Sequence, residues 1–287
     1  MKSYYFQFIM NKLIFFILTI LLTISYAKCQ DNNSGNAIPG YKTEMNILYR
    51  DKTKEKLTEY MESRCRLDIY YPVNQNNFST IVWFHGGGLL NGEKFIPGNL
   101  KNQKLSIVPV NYRFSPLVTC PAYIEDAAAA VAWVFRNIQK YGGDPEKIYI
   151  SGHSAGGYLT LMIGLDKKWL GNYNIDANKI AGLFPFSGQT VTHSTIRRER
   201  KISEVLPVID EFAPINHARQ DAPPLYLITG DRELDMPARY AENAYLMEIM
   251  KATGHKETRL FELQGFDHND MIDPGCFIVL KYLTGDK

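Results

Sequence analysis

Lys147-Ile148-Tyr149-Ile150-Ser151-Gly152-His153-Ser154-Ala155-Gly156-Gly157 is the stretch on which the fold turns. Its first half alternates β-branched and aromatic residues, the pattern of a buried strand. Its second half is Gly-x-Ser-x-Gly, and Tyr158-Leu159-Thr160-Leu161-Met162-Ile163 then reads as a helix. A strand running into a helix without a loop forces a very tight turn at Ser154. Gly152 and Gly156 lack the β-carbons that would collide there. Such a turn is a strained nucleophile elbow, its hydroxyl held clear of the backbone with a helix N-terminus beneath. The bare five-residue pattern also arises by chance in Gly/Ser-rich loops. The strand before it, the helix after it and the extra glycine behind it favour the elbow.

Working outward, Thr80-Ile81-Val82-Trp83-Phe84 is a continuous apolar run, the signature of a strand covered on both faces. It delivers His85-Gly86-Gly87-Gly88, where successive glycines let peptide N–H groups point at a ligand. Acyl transfer needs such donors, because a carbonyl oxygen becomes an oxyanion in the transition state. The N–H groups of Gly87 and Gly88, joined by that of Ala155 after the nucleophile, are the expected oxyanion hole. His85 is expected to order this loop rather than to move protons. Leu105 to Tyr112 is another buried strand, and Ala122 to Tyr141 has helical spacing until Gly142-Gly143-Asp144-Pro145 stops it. Ala181 to Ser187 is the next strand. Arg66 to Tyr71 alternates polar and apolar residues and suits an early antiparallel strand. The alternation of strand and helix predicts an α/β fold, a mostly parallel twisted sheet with helices on both faces.

With these pieces in place, the chain resembles the α/β-hydrolases of the esterase/lipase group, those related to hormone-sensitive lipase and to bacterial acetyl-xylan and feruloyl esterases. The likeness is carried by His85-Gly86-Gly87-Gly88, Asn111-Tyr112-Arg113, Pro121-Ala122 with Glu125-Asp126-Ala127, Gly142-Gly143-Asp144-Pro145 and Gly152-His153-Ser154-Ala155-Gly156-Gly157. It runs from about Arg66 to the C-terminus. It implies the α/β-hydrolase fold and a serine hydrolase of carboxylic esters that works without a cofactor or a metal. By the same analogy, residues 189–219 form either a lid over the acyl pocket or a surface excursion.

A triad also needs a carboxylate and a histidine. Leu225 to Gly230 reads as a buried strand, with Asp231-Arg232-Glu233-Leu234-Asp235-Met236-Pro237 at its end. The resemblance places the acid three residues beyond the strand-ending glycine and four before a proline, which selects Glu233. Asp231 is the first alternative and Asp235 the second. A helix from about Ala238 to Lys251 and a last strand, Thr258 to Leu263, come next. Of six histidines only His268 follows the nucleophile, the candidate acids and that last strand, in the loop beyond it, giving the order Ser…acid…His. His153 is expected to point inward and shape the elbow. His193, His217 and His255 carry no functional expectation.

Composition sets the outer bounds. At 287 residues with 45% hydrophobic content, the chain can build one large α/β domain. Its 32 basic and 30 acidic side chains leave a net charge of +2, without the clustered excess that nucleic acid requires. Residues 1–27 read as a signal peptide: Lys2 and Lys12 precede the apolar run Leu13 to Leu22, and Ser25-Tyr26-Ala27 supplies the cleavage site. The expectation is an exported protein, periplasmic or secreted, with no stable membrane span after cleavage. An anchor formed by an uncleaved signal is the alternative. Residues 28–60 read as an arm and lead-in segment, and 61–287 as the catalytic domain. Four cysteines without C-x-x-C spacing argue against a zinc site and assign no disulfide. Export and the resemblance together point to a short acyl group, acetyl or feruloyl, on a carbohydrate or small-molecule ester. An arylformamidase-type hydrolase and a catalytically inactive binding protein on the same fold are the rival expectations.

Overall fold

A computed structural model describes residues 40–53 and 55–284; the expected signal peptide lies outside them. The strands are β1 Tyr41–Leu48, β2 Arg66–Pro72, β3 Phe78–Phe84, β4 Ser106–Val110, β5 Gly143–His153, β6 Gly182–Phe186, β7 Leu225–Gly230 and β8 Thr258–Leu263. They form one sheet in the order β1-β2-β4-β3-β5-β6-β7-β8. β2 runs antiparallel to both β1 and β4, whereas the neighbours from β4 through β8 are parallel. The mostly parallel sheet of the sequence reading is therefore the observed one. The edge strand β1 falls within residues 28–60, so the sheet starts earlier than the expected domain boundary at residue 61. Most of its residues are exposed, which is why no hydrophobic pattern marks it.

The helices are α1 Glu59–Arg64, α2 Ala122–Asn137, α3 Ala155–Leu165, α4 Lys168–Gly171, α5 Ser194–Glu199, α6 Arg239–Ala252 and α7 Ile272–Thr284. Strand side chains alternate between the two faces of the sheet. Val82, Phe84, Ile148, Ile150, Leu183, Leu225 and Leu227 join the larger core cluster with residues of α2, α3 and α6. Ile81, Trp83, Phe184, Phe186, Tyr226 and Ile228 enter a second cluster closed by Cys276 and Val279 of α7. Both faces are covered, as continuous apolar strands require. Cys65, Cys120 and Cys276 are free thiols.

The motif Asn111-Tyr112-Arg113 is tied to α2 by a buried ion pair. Arg113 donates from Nε and Nη2 to the Asp126 carboxylate at 2.8 Å each, and Arg50 also pairs with it. Burial alone would raise the Asp126 pKa, but these guanidinium contacts outweigh it and hold the group ionised. Residues 189–219 divide in two. Gln189 to His193 and Thr195 to Arg197 are buried, whereas 201–207 are exposed. The first part is thus a wall of the fold rather than a surface excursion.

Candidate active site

The six parallel strands β3 to β8 end on one edge of the sheet, and the loops that follow them meet there. β5 runs directly into α3 through Ser154, whose φ of 55° and ψ of −113° are unusual for a residue with a side chain. The Ser154 N–H donates to the carbonyl of Phe186 at the end of β6, which helps to hold the turn. A β-carbon at Gly152 would lie 2.6 Å from the Phe84 carbonyl oxygen, and one at Gly156 would lie 2.0 Å from it. The two glycines are therefore demanded by the approach of β3, which is the elbow anticipated from the sequence.

His268, in the loop after β8, reaches this turn. Its Nε2 lies 2.9 Å from the Ser154 Oγ, and its Nδ1 lies 2.6 Å from the Asp235 Oδ1. With Nδ1–H donated to the carboxylate, Nε2 is left to accept the serine proton. Ser154 and His268 are thus brought together as expected. The acid is corrected. Glu233, favoured on the resemblance, is exposed, and its backbone N–H donates to Asp231. Asp231 is also turned away, its carboxylate accepting from the N–H groups of Glu233 and Gly265. The Asp235 N–H donates back to the Asp231 carbonyl at 2.8 Å. This turn folds Asp235 under the end of β7, where the Gly230 N–H donates to its Oδ2.

Burial would raise the Asp235 pKa, but hydrogen bonds from His268, Ser187 and the Met236 N–H outweigh it and hold the carboxyl at about 2. Ser187, just past β6, was not anticipated from the sequence. Its hydroxyl donates to the Asp235 carboxylate at 2.8 Å, and its oxygen lies 3.0 Å from the His268 Nδ1. Only its position at a strand end on the same edge could have signalled it.

His153 does more than point inward. Its ring packs 4.6 Å from that of His268, and its Nε2–H donates to the His268 carbonyl at 2.6 Å. Burial, helped by the neighbouring His268, pushes its pKa down to about 4. A neutral ring here avoids like-charge repulsion when His268 takes a proton. His153→Phe keeps the packing but strands a buried carbonyl, so kcat for 4-nitrophenyl acetate is expected to fall about tenfold. His153→Gln, which can still donate, is expected to recover most of it; steady-state kinetics on both variants check this.

The glycine loop after β3 faces Ser154 from the other side. Gly87 and Gly88 have φ of 107° and 64°, and a β-carbon at Gly87 would lie 2.0 Å from the Asn91 carbonyl oxygen. Among the described residues, the N–H groups of Gly87, Gly88 and Ala155 have no protein acceptor. His85 stacks on Tyr112 at 4.5 Å and donates from Nδ1 to the Gly86 carbonyl. The Tyr112 hydroxyl donates to the His85 carbonyl. His85 therefore braces the loop, and among the described residues no hydrogen bond joins it to Ser154.

A family model described as BD-FAE matches residues 67–246 of this chain, a span that contains the glycine loop, the elbow and Asp235. The chain belongs to the BD-FAE family. Among curated proteins, this family member is similar to esterase LipC of Mycobacterium tuberculosis (strain ATCC 25618 / H37Rv). The two are 26% identical over 217 residues, 67% of this chain and 52% of LipC. It is also similar to isoprenylcysteine alpha-carbonyl methylesterase ICME of Arabidopsis thaliana, at 24% identity over 262 residues, 82% of this chain and 61% of ICME. The chain thus spans about half the length of the curated relatives it matches.

Among solved structures, a truncated carbohydrate esterase from gut microbiota superposes with a TM-score of 0.67 and 22% identity, covering 85% of this chain and 95% of that one. The apo form of Thermogutta terrifontis esterase 2 gives 0.65 and 20%, covering 88% and 97%. At these identities the likeness is one of fold, the α/β-hydrolase fold.

Proposed function

We propose that this chain is an exported serine esterase that cleaves short acyl groups, acetyl or feruloyl, from carbohydrate or small-molecule esters. The observation that carries the reading is the line Ser154 Oγ to His268 Nε2 to Asp235, at 2.9 and 2.6 Å. His268 takes the hydroxyl proton as Ser154 attacks the ester carbonyl, and Asp235 stabilises the imidazolium that forms. The N–H groups of Gly87, Gly88 and Ala155 receive the oxyanion, each donor contributing about 2.7–4 kcal/mol on the pattern of such holes. The alcohol departs with the proton from His268, and water then releases the acid from the acyl-enzyme by the reverse sequence.

Family membership and the esterase names of the relatives support the ester chemistry. The carbohydrate esterase among the structural neighbours supports a sugar-borne ester. Export rests on the charged and apolar pattern of residues 1–27.

A fluorophosphonate probe is expected to label the chain at Ser154, as read by peptide mass spectrometry. Acetylated xylan, feruloylated arabinose and N-formylkynurenine, assayed in parallel, are expected to show turnover of the first or second and not of the third. Absence of the label would remove the serine-hydrolase reading, and turnover confined to the formamide would replace the ester with an amide-type substrate.

A further inference from the structure

A guanidinium is shut inside the protein at the first turn of α6 without a full set of partners. Arg239 is only 5% exposed. Its side chain donates from Nη2 to the Met236 Sδ at 3.5 Å, while Nε and Nη1 are buried with no acceptor among the described residues. The carboxylates whose charge reaches it are Glu242 and Asp235. Both are engaged elsewhere, Glu242 by the Thr190 N–H and Asp235 by His268, Ser187 and Gly230. Burial, the largest influence on the group, pushes its pKa down, yet a guanidinium stays charged at neutral pH. Both nearby carboxylates are shared with other donors, so the buried Nε and Nη1 of this guanidinium remain open to a further acceptor.

Those surroundings are themselves positive. Arg197, 3% exposed, has a buried Nε without an acceptor among the described residues. Together with Arg198, Arg197 and Arg239 act on His193, whose pKa burial already pushes down to about 3. Arg239 is the first residue of a 14-residue helix, entered through Ala238 at φ 64°, so the positive end of the helix dipole adds to its charge. The locus also borders the triad. Arg239 lies four residues past Asp235, and the Met236 whose sulfur it contacts donates its backbone N–H to the Asp235 Oδ1 at 2.7 Å. The guanidinium thus adjoins the acid side of the triad. The His193 that it also reaches sits two residues from Thr195, whose hydroxyl donates to the Gly88 carbonyl in the glycine loop.

We infer that Arg239 anchors an anion subsite beside Ser154 and that the preferred ester carries a carboxylate. The inference rests on the esterase reading of Ser154. A carboxylate supplies the acceptors that Nε and Nη1 lack, and it brings a negative charge to a site with a buried positive one. The charge has two chemical sources, an acyl chain ending in a carboxylate or an alcohol that is itself acidic, such as a uronic sugar.

Matched esters separate the two. Mono-4-nitrophenyl glutarate against 4-nitrophenyl valerate tests the acyl side, and 4-acetoxybenzoate against its methyl ester tests the alcohol side. The full chain is expected to favour the anionic member of at least one pair by about tenfold or more in kcat/KM, and salt is expected to change this preference little because the pair is buried. Arg239→Met is expected to bring that ratio close to one, and Arg239→Lys to retain part of it. Equal rates within both pairs, or a ratio unchanged in Arg239→Met, would overturn the subsite. If Arg239→Met does not fold, the wild-type ratio and Arg239→Lys decide the matter. Failure of the esterase reading looks different, with no ester in either pair hydrolysed and no fluorophosphonate label on Ser154.

Discussion

Replacing Ser154 with alanine is expected to lower kcat/KM for 4-nitrophenyl acetate by about 10⁴- to 10⁶-fold. The hydroxyl is placed to attack a carbonyl while giving its proton to the His268 Nε2, at 2.9 Å. The residue left behind keeps the backbone geometry of the elbow, because the turn is imposed by Gly152, Gly156 and the Phe186 carbonyl rather than by the serine oxygen. Thermal unfolding is therefore expected to shift by no more than about 2–4 °C. A folded Ser154→Ala protein retaining a few per cent of the wild-type rate would assign the nucleophile elsewhere.

The second large effect is expected at Asp235. An asparagine there keeps the shape and can still accept one hydrogen bond, but it no longer fixes the His268 tautomer or balances the imidazolium. A loss of about 10⁴-fold in kcat is expected for Asp235→Asn. Glu233→Gln is expected to be within about twofold of wild type, as for other exposed substitutions remote from the chemistry. Asp231→Asn weakens the turn that carries Asp235, through the N–H groups of Glu233 and Gly265, and its cost belongs in stability more than in kcat. Parallel kinetics and melting curves of the three variants make the comparison. A Glu233→Gln protein slower than Asp235→Asn would reverse the assignment.

The contrast between these acids shows where the sequence was informative. Ser154 was legible because two steric facts, a tight strand-to-helix turn and its glycines, are written in adjacent residues. His268 was legible from chain order alone, since it is the sole histidine beyond the last strand. The acid was not, because its identity depends on how the chain turns after Gly230. The family resemblance favoured Glu233, whereas the Asp235 N–H to Asp231 carbonyl bond closes a turn that carries the later residue back to the glycine.

Ser187, and the contact of the inward-pointing His153 with His268, escaped the sequence for a related reason. Each acts through a partner remote in sequence, and nothing local distinguishes a serine or histidine with such a partner from one without. α7 escaped because Asp273-Pro274-Gly275 has the composition of a turn. In the structure Pro274 occupies the first helical turn, where its missing N–H has no intrahelical partner to lose. Gly275 is required there by the Phe186 ring, which a β-carbon would meet at 2.3 Å. β1 escaped because an exposed edge strand needs little apolar patterning.

The paired grip of His153 and Ser154 on the loop of residue 268 has a consequence for how such a scaffold diversifies. Neighbouring residues of a single turn hold the base at both its main chain and its ring, so the proton-transfer geometry is defined locally. The long stretch between β6 and β7 carries none of that burden beyond Ser187 itself. Its outward portion, exposed over 201–207, can change in sequence without disturbing the reacting atoms.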